Sequence, residues 1–227
     1  MTHAASDMQR HLEELKALRG DTLKAPDRLR DVKAWQSARL GQTYADVAAV
    51  NRYRSATRYF LEDLYGPKDF SRRDQAMIRI LPVMSRILPT SAVETAALAI
   101  ELEALSESLD QRLAANIRSG PIDEASYASA YRESSTREER LRQVELIGAV
   151  GRRLDALVKR PLVFRTLKLM RAPARVAGLE DLQDFLERGF AAFRDMGGAD
   201  DFLALIESRE TAILNAIFSS KARPFSV

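Results

Sequence analysis

Residues 58–74 read RYFLEDLYGPKDFSRRD and contain the end of one helix, a turn and the start of another. The apolar residues within 60–64 are spaced three and four positions apart, which places them on one face of a helix. Gly66-Pro67 cannot continue that helix, and Asp69 or Ser71 can cap the helix that follows. The stretch therefore predicts two helices joined by a short turn.

The rest of the chain repeats this pattern. Apolar residues recur at three- and four-residue spacing between the prolines and glycines, and strict alternation is rare. We therefore predict an all-α fold, a single-domain multi-helix bundle of about eight to ten helices. The predicted helices cover residues 5–19, 27–41, 43–65, 71–88, 91–118, 123–132, 136–159, 161–171, 179–196 and 200–219.

Stretches that contain glycine or proline divide the chain into three parts. Residues 1–26 form an N-terminal helix and linker that we expect to be mobile, residues 27–219 form the helical bundle domain, and residues 220–227 form a frayed tail. Helix 71–88 is apolar nearly all round, so we expect it to be the most buried element and to be kinked near Pro82.

Two glycines predict a close helix contact. Gly148 and Gly151 lie on the same side of their predicted helix as its apolar residues. The missing side chains would let a neighbouring helix approach closely.

Three segments of the chain resemble a family of uncharacterised bacterial proteins. Tyr59–Asp74 is similar to a Phe-Phe-Leu-Glu-Asp-Leu-Tyr-Gly-Pro motif that is followed by Asp-Phe-Ser-Arg-Arg-Asp. The similarity continues in Leu169–Arg175 and from Gly189 to Ala199, so it spans most of the chain. Because no activity is known to us for that family, the resemblance implies no function.

Composition excludes several classes of protein. The 227 residues are 46% hydrophobic, enough for a core, and 35 basic against 32 acidic residues give a net charge of only +3, which does not favour nucleic acid as the partner. The absence of cysteine excludes disulfides and Cys-ligated zinc. Residues 1–20 lack the apolar segment of a signal peptide, and no run reaches about 18 apolar residues. We therefore expect a cytoplasmic protein without a membrane span.

The two histidines, His3 and His11, both lie in the polar first helix. A haem ligand or the Glu-x-x-His pairs of a di-iron bundle would need histidines on inward faces. We therefore predict no metal site and no cofactor.

Two carboxylates fall on apolar helix faces. Glu210 lies in the middle of an apolar stripe on helix 200–219, and Glu101 projects from the apolar side of helix 91–118, one heptad after Glu94. A buried carboxylate needs a partner, so each is either paired to an arginine or part of a ligand site. Glu101 and Glu210 are therefore ligand-binding candidates.

The strongest charge asymmetry covers residues 152–175, where eight basic residues face a single acid, Asp155. Arginines there could clamp a phosphate or a carboxylate, or the same segment could be a membrane-surface helix. The alternative is that acids of residues 180–210 neutralise the segment within the fold or across a dimer. The candidate anion-binding residues are Arg165, Lys168, Arg171 and Arg175.

Residues 43–60 resemble a DNA-binding helix-turn-helix, with Ala48 at the tightly packed position and Arg54, Ser55, Thr57 and Arg58 where a recognition helix would contact bases. Arg52 departs from the pattern because it occupies the turn position that usually takes glycine. An ordinary core helix is the alternative.

No catalytic centre is recognisable, so the sequence favours binding over catalysis. We expect a non-catalytic interaction or ligand-binding module that meets an acidic protein partner or an anionic small molecule through its arginine-rich surface. Two alternatives stay open: a DNA-binding regulator that uses residues 43–60, and an enzyme with a Glu/Arg/Tyr pocket around Glu101 and the helix Tyr53–Tyr65. The sequence also leaves a homo-oligomer open.

Overall fold

The computed structural model describes residues 3–21, 26–64, 76, 80, 89–117 and 119–226. This part of the chain contains helices and no strand, which confirms the predicted all-α class. The helices are α1 (His3–Asp21), α2 (Pro26–Thr43), α3 (Ala45–Ala49), α4 (Asn51–Tyr59), α5 (Thr90–Asn116), α6 (Glu124–Ser134), α7 (Arg137–Val158), α8 (Pro161–Leu169), α9 (Arg171–Val176), α10 (Glu180–Met196) and α11 (Asp200–Phe218), and a π-helical turn at Phe60–Leu64 follows α4.

The single helix predicted for residues 43–65 is wrong, because the backbone breaks at Val50. Val50 has φ −75° and ψ 119°, an extended conformation that suits a β-branched residue, and it separates α3 from α4. The helix predicted for residues 161–171 also ends early, and α9 follows it. Pro173 lies in the first turn of α9, where no N–H is needed.

Most of the predicted helix 71–88 lies outside the described residues. Within this range the structure describes only Ala76 and Ile80, and both are helical. The predicted turn at Gly66-Pro67, the caps Asp69 and Ser71, and the expected kink near Pro82 also lie outside them.

The main apolar core joins α4, α7, α10 and α11. Phe193 and Met196 of α10 and Phe202 and Leu203 of α11 are almost fully buried. A Cβ atom added at Gly151 of α7 would overlap the side chain of Leu203, so the predicted close approach of a neighbouring helix at this glycine is confirmed.

The chain termini pack on the bundle more closely than the sequence suggests. Met8 and Leu12 of α1 are buried against α5, together with Ile100. Near the C-terminus Pro224 is buried, and the Phe225 ring lies 5.4 Å from the ring of Trp35. Phe225 therefore holds this part of the C-terminal segment against α2.

Within the described part of the chain, no helix has both the length and the apolar composition needed to cross a membrane.

Candidate functional site

A stripe of polar side chains on α2 faces the interior of the bundle. Lys33, Gln36 and Arg39 are three residues apart and lie beside the buried Val32. Each binds a carboxylate from another helix, since burial of a charged or amide group requires a partner. The bonds are Lys33 Nζ to Glu107 Oε2 at 2.8 Å, Gln36 Nε2 to Asp110 Oδ1 at 2.8 Å, and Arg39 Nη1 to Glu210 Oε1 at 2.8 Å.

Glu210 accepts two hydrogen bonds at one carboxylate oxygen. Oε1 binds Arg39 Nη1 and the Tyr44 hydroxyl, the latter at 2.9 Å, and the side chains of Arg39 and Glu210 are only 14% and 16% exposed. Pairing of Glu210 with an arginine is thus confirmed. Burial, reinforced by the charge of Glu210, raises the pKa of Tyr44 and keeps its hydroxyl a donor. Burial alone would lower the pKa of Arg39, but Glu210, Tyr127 and Tyr44 together outweigh burial and raise it.

A cavity of about 100 Å³ lies beside Glu210, between α2, α4 with its π-helical turn, α6, α7 and α11. Its polar wall consists of Glu210, Tyr44, Thr57, Tyr131 and Gln143. Its apolar wall includes Leu40, Phe60, Val144, Ile147, Phe202 and Ile206. The arrangement is apolar with a few convergent polar groups, as is typical of small-molecule sites.

Arg140 of α7 is a buried cation next to this cavity. Its side chain is 2% exposed, and its guanidinium carbon lies 4.0 Å from the ring centre of Tyr131. Nε donates to Ser135 Oγ at 3.0 Å and Nη1 to Gln143 Oε1 at 3.3 Å, whereas Nη2 has no acceptor among the described residues. The face of Tyr131 partly compensates the buried charge.

Glu101 lies elsewhere and is not part of the cavity. Its carboxylate accepts a 2.7 Å bond from Arg142 and is 26% exposed, so it belongs to an ion-pair ladder between α5 and α7. Glu94 with Arg153 at 2.6 Å and Arg112 with Glu139 at 2.8 Å are the other rungs. The enzyme alternative expects a Glu/Arg/Tyr cluster around Glu101. The structure instead brings Arg39 and Tyr44 to Glu210, while Glu101 pairs with Arg142.

Half of the basic segment 152–175 is neutralised within the fold. Arg152 pairs with Glu207 at 2.8 Å, and Arg171 makes a two-pronged ion pair with Glu187. Both acids belong to the acidic segment 180–210. The bond from Arg171 lowers the pKa of Glu187. Two further cations bind other acids, Arg153 to Glu94 and Lys159 to Asp155. Arg171 is therefore a structural cation.

Three of the four remaining cations are exposed side chains of α8 and α9, and the fourth, Arg160, donates to Ser91 Oγ at 3.2 Å. Arg165, Lys168 and Arg175 are exposed and form no ion pair within the described ranges. Lys168 Nζ lies 4.7 Å from the ring centre of Phe164, and the positive charge of Lys168 contributes to lowering the pKa of Glu187. The apolar side chains beside them are also exposed: Leu162 by 75%, Leu169 by 77%, Val176 by 91% and Met170 by 43%. We call these seven residues the α8–α9 surface.

Residues 43–60 do not have the geometry of a helix-turn-helix. α3 is five residues long, and one residue, Val50, joins it to α4, whereas the motif has a turn of about three to four residues. Arg52 donates to Met196 O at 2.8 Å and to Gly198 O at 3.0 Å, and Thr57 is buried. Only Arg54, Ser55 and Arg58 of the expected reading residues are exposed.

No group of three or more His, Asp or Glu side chains that could hold a metal ion occurs in the part of the chain that the structure describes.

Sequence reasoning identified Glu210 but missed Arg39, Tyr44 and Arg140. The available signal was the three-residue spacing of Lys33, Gln36 and Arg39 on the same side of α2 as apolar residues. Polar residues at that spacing are more often a solvated face, so the signal alone was weak.

Residues 16–224 match the family described as a domain of unknown function, DUF8198. No curated protein and no solved structure matches the chain. The match covers most of the sequence and agrees with the resemblance to an uncharacterised family. The chain therefore belongs to the DUF8198 family of unknown function.

Proposed function

We propose that this protein is a helical interaction module whose α8–α9 surface binds an acidic segment of a partner protein. One observation carries the proposal: three exposed cations that form no ion pair in the described part of the chain, Arg165, Lys168 and Arg175, are interspersed with four exposed apolar side chains. Basic and apolar groups together complement a partner that carries both acids and apolar anchors.

The charge argument rests on the contrast within one segment. Four cations of residues 152–175 already form ion pairs with carboxylates of the same chain, and these carboxylates compensate their positive charge. Arg165, Lys168 and Arg175 form no such ion pair within the described residues. Exposed charges of this kind steer an oppositely charged partner, and salt weakens that attraction.

Two apolar side chains of α8, Leu162 and Leu169, point away from the core. Leu162, Arg165 and Leu169 follow helical spacing and form the exposed face, while Phe164 and Leu167 pack against the main core. Large side chains exposed by three quarters or more gain from a partner that covers them.

A protein segment fits this face better than a membrane does. α8 has nine residues and turns most of its apolar side chains into the core, so only Leu162 and Leu169 of α8 could enter a bilayer. A helix that lies in a membrane interface needs a broad continuous apolar face.

Heparin chromatography tests the charge half of the proposal. The parent protein should be retained and elute at raised salt, and Arg165→Glu with Lys168→Glu should abolish retention without loss of the helical spectrum. Arg54→Glu with Lys221→Glu is the matched control, because it changes the net charge equally at two exposed cations outside the surface. It should elute close to the parent.

Two results would overturn the proposal. One is elution of the Arg165→Glu, Lys168→Glu protein at the parent's salt concentration; the other is its unfolding, which would make these cations structural. Sedimentation with phosphatidylserine vesicles covers the membrane alternative. Co-sedimentation of the parent that Leu162→Ser with Leu169→Ser abolishes would replace the protein partner with a lipid surface.

A further inference from the structure

We propose that the cavity beside Glu210 binds a small neutral molecule with an apolar body and one hydrogen-bond donor, such as a short branched alcohol. This site is separate from the α8–α9 surface. The proposal rests on the unequal use of the two Glu210 oxygens, on the charges around the cavity and on its volume.

The first step is to identify a hydrogen-bond acceptor of the cavity that has no partner. Oε1 of Glu210 is occupied by Arg39 and Tyr44. Oε2 accepts no hydrogen bond from the described residues and is not among their fully buried unpartnered atoms. Tyr131 also lines the cavity, and its hydroxyl makes no hydrogen bond within the same residues. A carboxylate oxygen can only accept, so the ligand must donate.

The second step is the charge of the ligand. Arg39 is balanced by Glu210, and Arg209 by a two-pronged pair with Asp46, which lowers the pKa of Asp46 to about 2. Arg140 forms no ion pair in the described structure, and burial raises the pKa of Asp110, the carboxyl on which the charge of Arg140 acts. Arg140 therefore adds positive charge behind Tyr131. That charge disfavours a cationic ligand.

The polar wall of the cavity also disfavours an anionic ligand. The carboxylate of Glu210 lines the cavity, and the unpartnered Nη2 of Arg140 is buried away from any accessible space. An anion would thus meet an acceptor and no free cationic donor. A neutral donor is the remaining class.

The third step is size. An engineered apolar cavity of about 150 Å³ holds one benzene molecule, so a cavity of about 100 Å³ takes about four to five heavy atoms. Phe60, Phe202 and Ile206 supply the apolar contact for such a body. Isobutanol has this size, an apolar branch and a single hydroxyl.

A series of isosteric probes tests each step. We would label the isoleucine methyl groups of the protein with ¹³C and follow their NMR shifts while each probe is added. Ile147 and Ile206 line the cavity and report binding there, whereas Ile213 does not line it and is the internal control. The probes, each of five heavy atoms, are isobutanol as the neutral donor, 2-butanone as a neutral acceptor, isobutylammonium as the cation and propionate as the anion. We expect saturable shifts at Ile147 and Ile206, with isobutanol binding at least about tenfold more tightly than the others, the factor that one good hydrogen bond supplies.

Two variants localise the effect. Val144→Phe places a larger side chain in the wall and should abolish the isobutanol shifts, whereas Val50→Phe, the same change at an exposed position outside the cavity, should not. Glu210→Gln replaces one acceptor oxygen with a donor and should remove the preference for isobutanol over the ketone. If Val144→Phe fails to fold, Glu210→Gln still decides the matter.

The contrary results are distinct. A parent protein that binds no probe has a cavity filled by water alone, and the proposal is then wrong. Binding of the cation, the anion or the ketone as tightly as isobutanol would also overturn it, as would an unchanged preference in Glu210→Gln.

Discussion

Arg39 of α2 and Glu210 of α11 are 171 positions apart in the sequence and form a 2.8 Å ion pair in which both side chains are largely buried. The pair joins the first third of the chain to its last helix. It is one of three bonds by which α2 holds carboxylates of α5 and α11. The interior of this bundle is therefore organised by polar contacts as well as by apolar packing.

Glu210 and Glu101 can be compared directly, because both lie on apolar helix faces in the sequence and both pair with an arginine. Arg39, the partner of Glu210, is 14% exposed, whereas Arg142, the partner of Glu101, is 49% exposed. Glu210→Ala should destabilise the protein by about 3–5 kcal/mol, since it leaves Arg39 buried and unpaired. Glu101→Ala removes a surface ion pair and should cost about 0.2–1 kcal/mol. Urea denaturation measures both changes. Equal losses of stability in the two variants would show that the burial of Glu210 has no energetic consequence.

Gly151 and Gly41 lie in helices but in opposite surroundings. A Cβ at Gly151 overlaps Leu203, whereas a Cβ at Gly41 meets no atom within 4 Å. Gly151→Ala should therefore destabilise the protein by about 1–3 kcal/mol through overpacking, and Gly41→Ala should stabilise it by about 0.5 kcal/mol through helix propensity. Thermal unfolding of the two variants would show opposite shifts. A shift in the same direction would mean that α7 and α11 are not in close contact.

Asp110 is half-buried, and burial raises its pKa above the ordinary value of 3.8, although Gln36, Lys33 and Arg140 oppose the rise and Glu107 adds to it. The folded state then holds a proton that the unfolded state has lost, so stability falls as the pH rises from 3.8 through the raised pKa. Asp110→Asn removes this titration and can still accept the bond from Gln36. Its advantage in melting temperature over the parent should grow across that window and then become constant. A difference independent of pH would contradict the raised pKa.

Much of the fold could be predicted from the sequence, because most long helices carry their apolar residues at helical spacing. α10 shows this with Leu182, Phe193 and Met196, all buried. The break at Val50 could not be predicted, since no glycine or proline marks it and the α4–α10 packing decides where α4 lies.

The candidate site was predicted in part. Glu210 stood out because a carboxylate in an apolar stripe is costly, whatever its partner. Arg39, Tyr44 and Arg140 did not stand out, because their burial depends on helices that are remote in sequence. The cavity draws its walls from five such elements, and no local pattern describes their arrangement.

The most direct test of this account is the coupling between Arg39 and Glu210, on which both the helix arrangement and the cavity wall depend. We would measure the unfolding free energies of Arg39→Met, Glu210→Met and the double variant. Each single change leaves one buried charge unpaired, while the double change removes both charges. The account predicts that the double variant loses less stability than the sum of the single losses, by about 2–3 kcal/mol. Additivity within about 0.5 kcal/mol would contradict it.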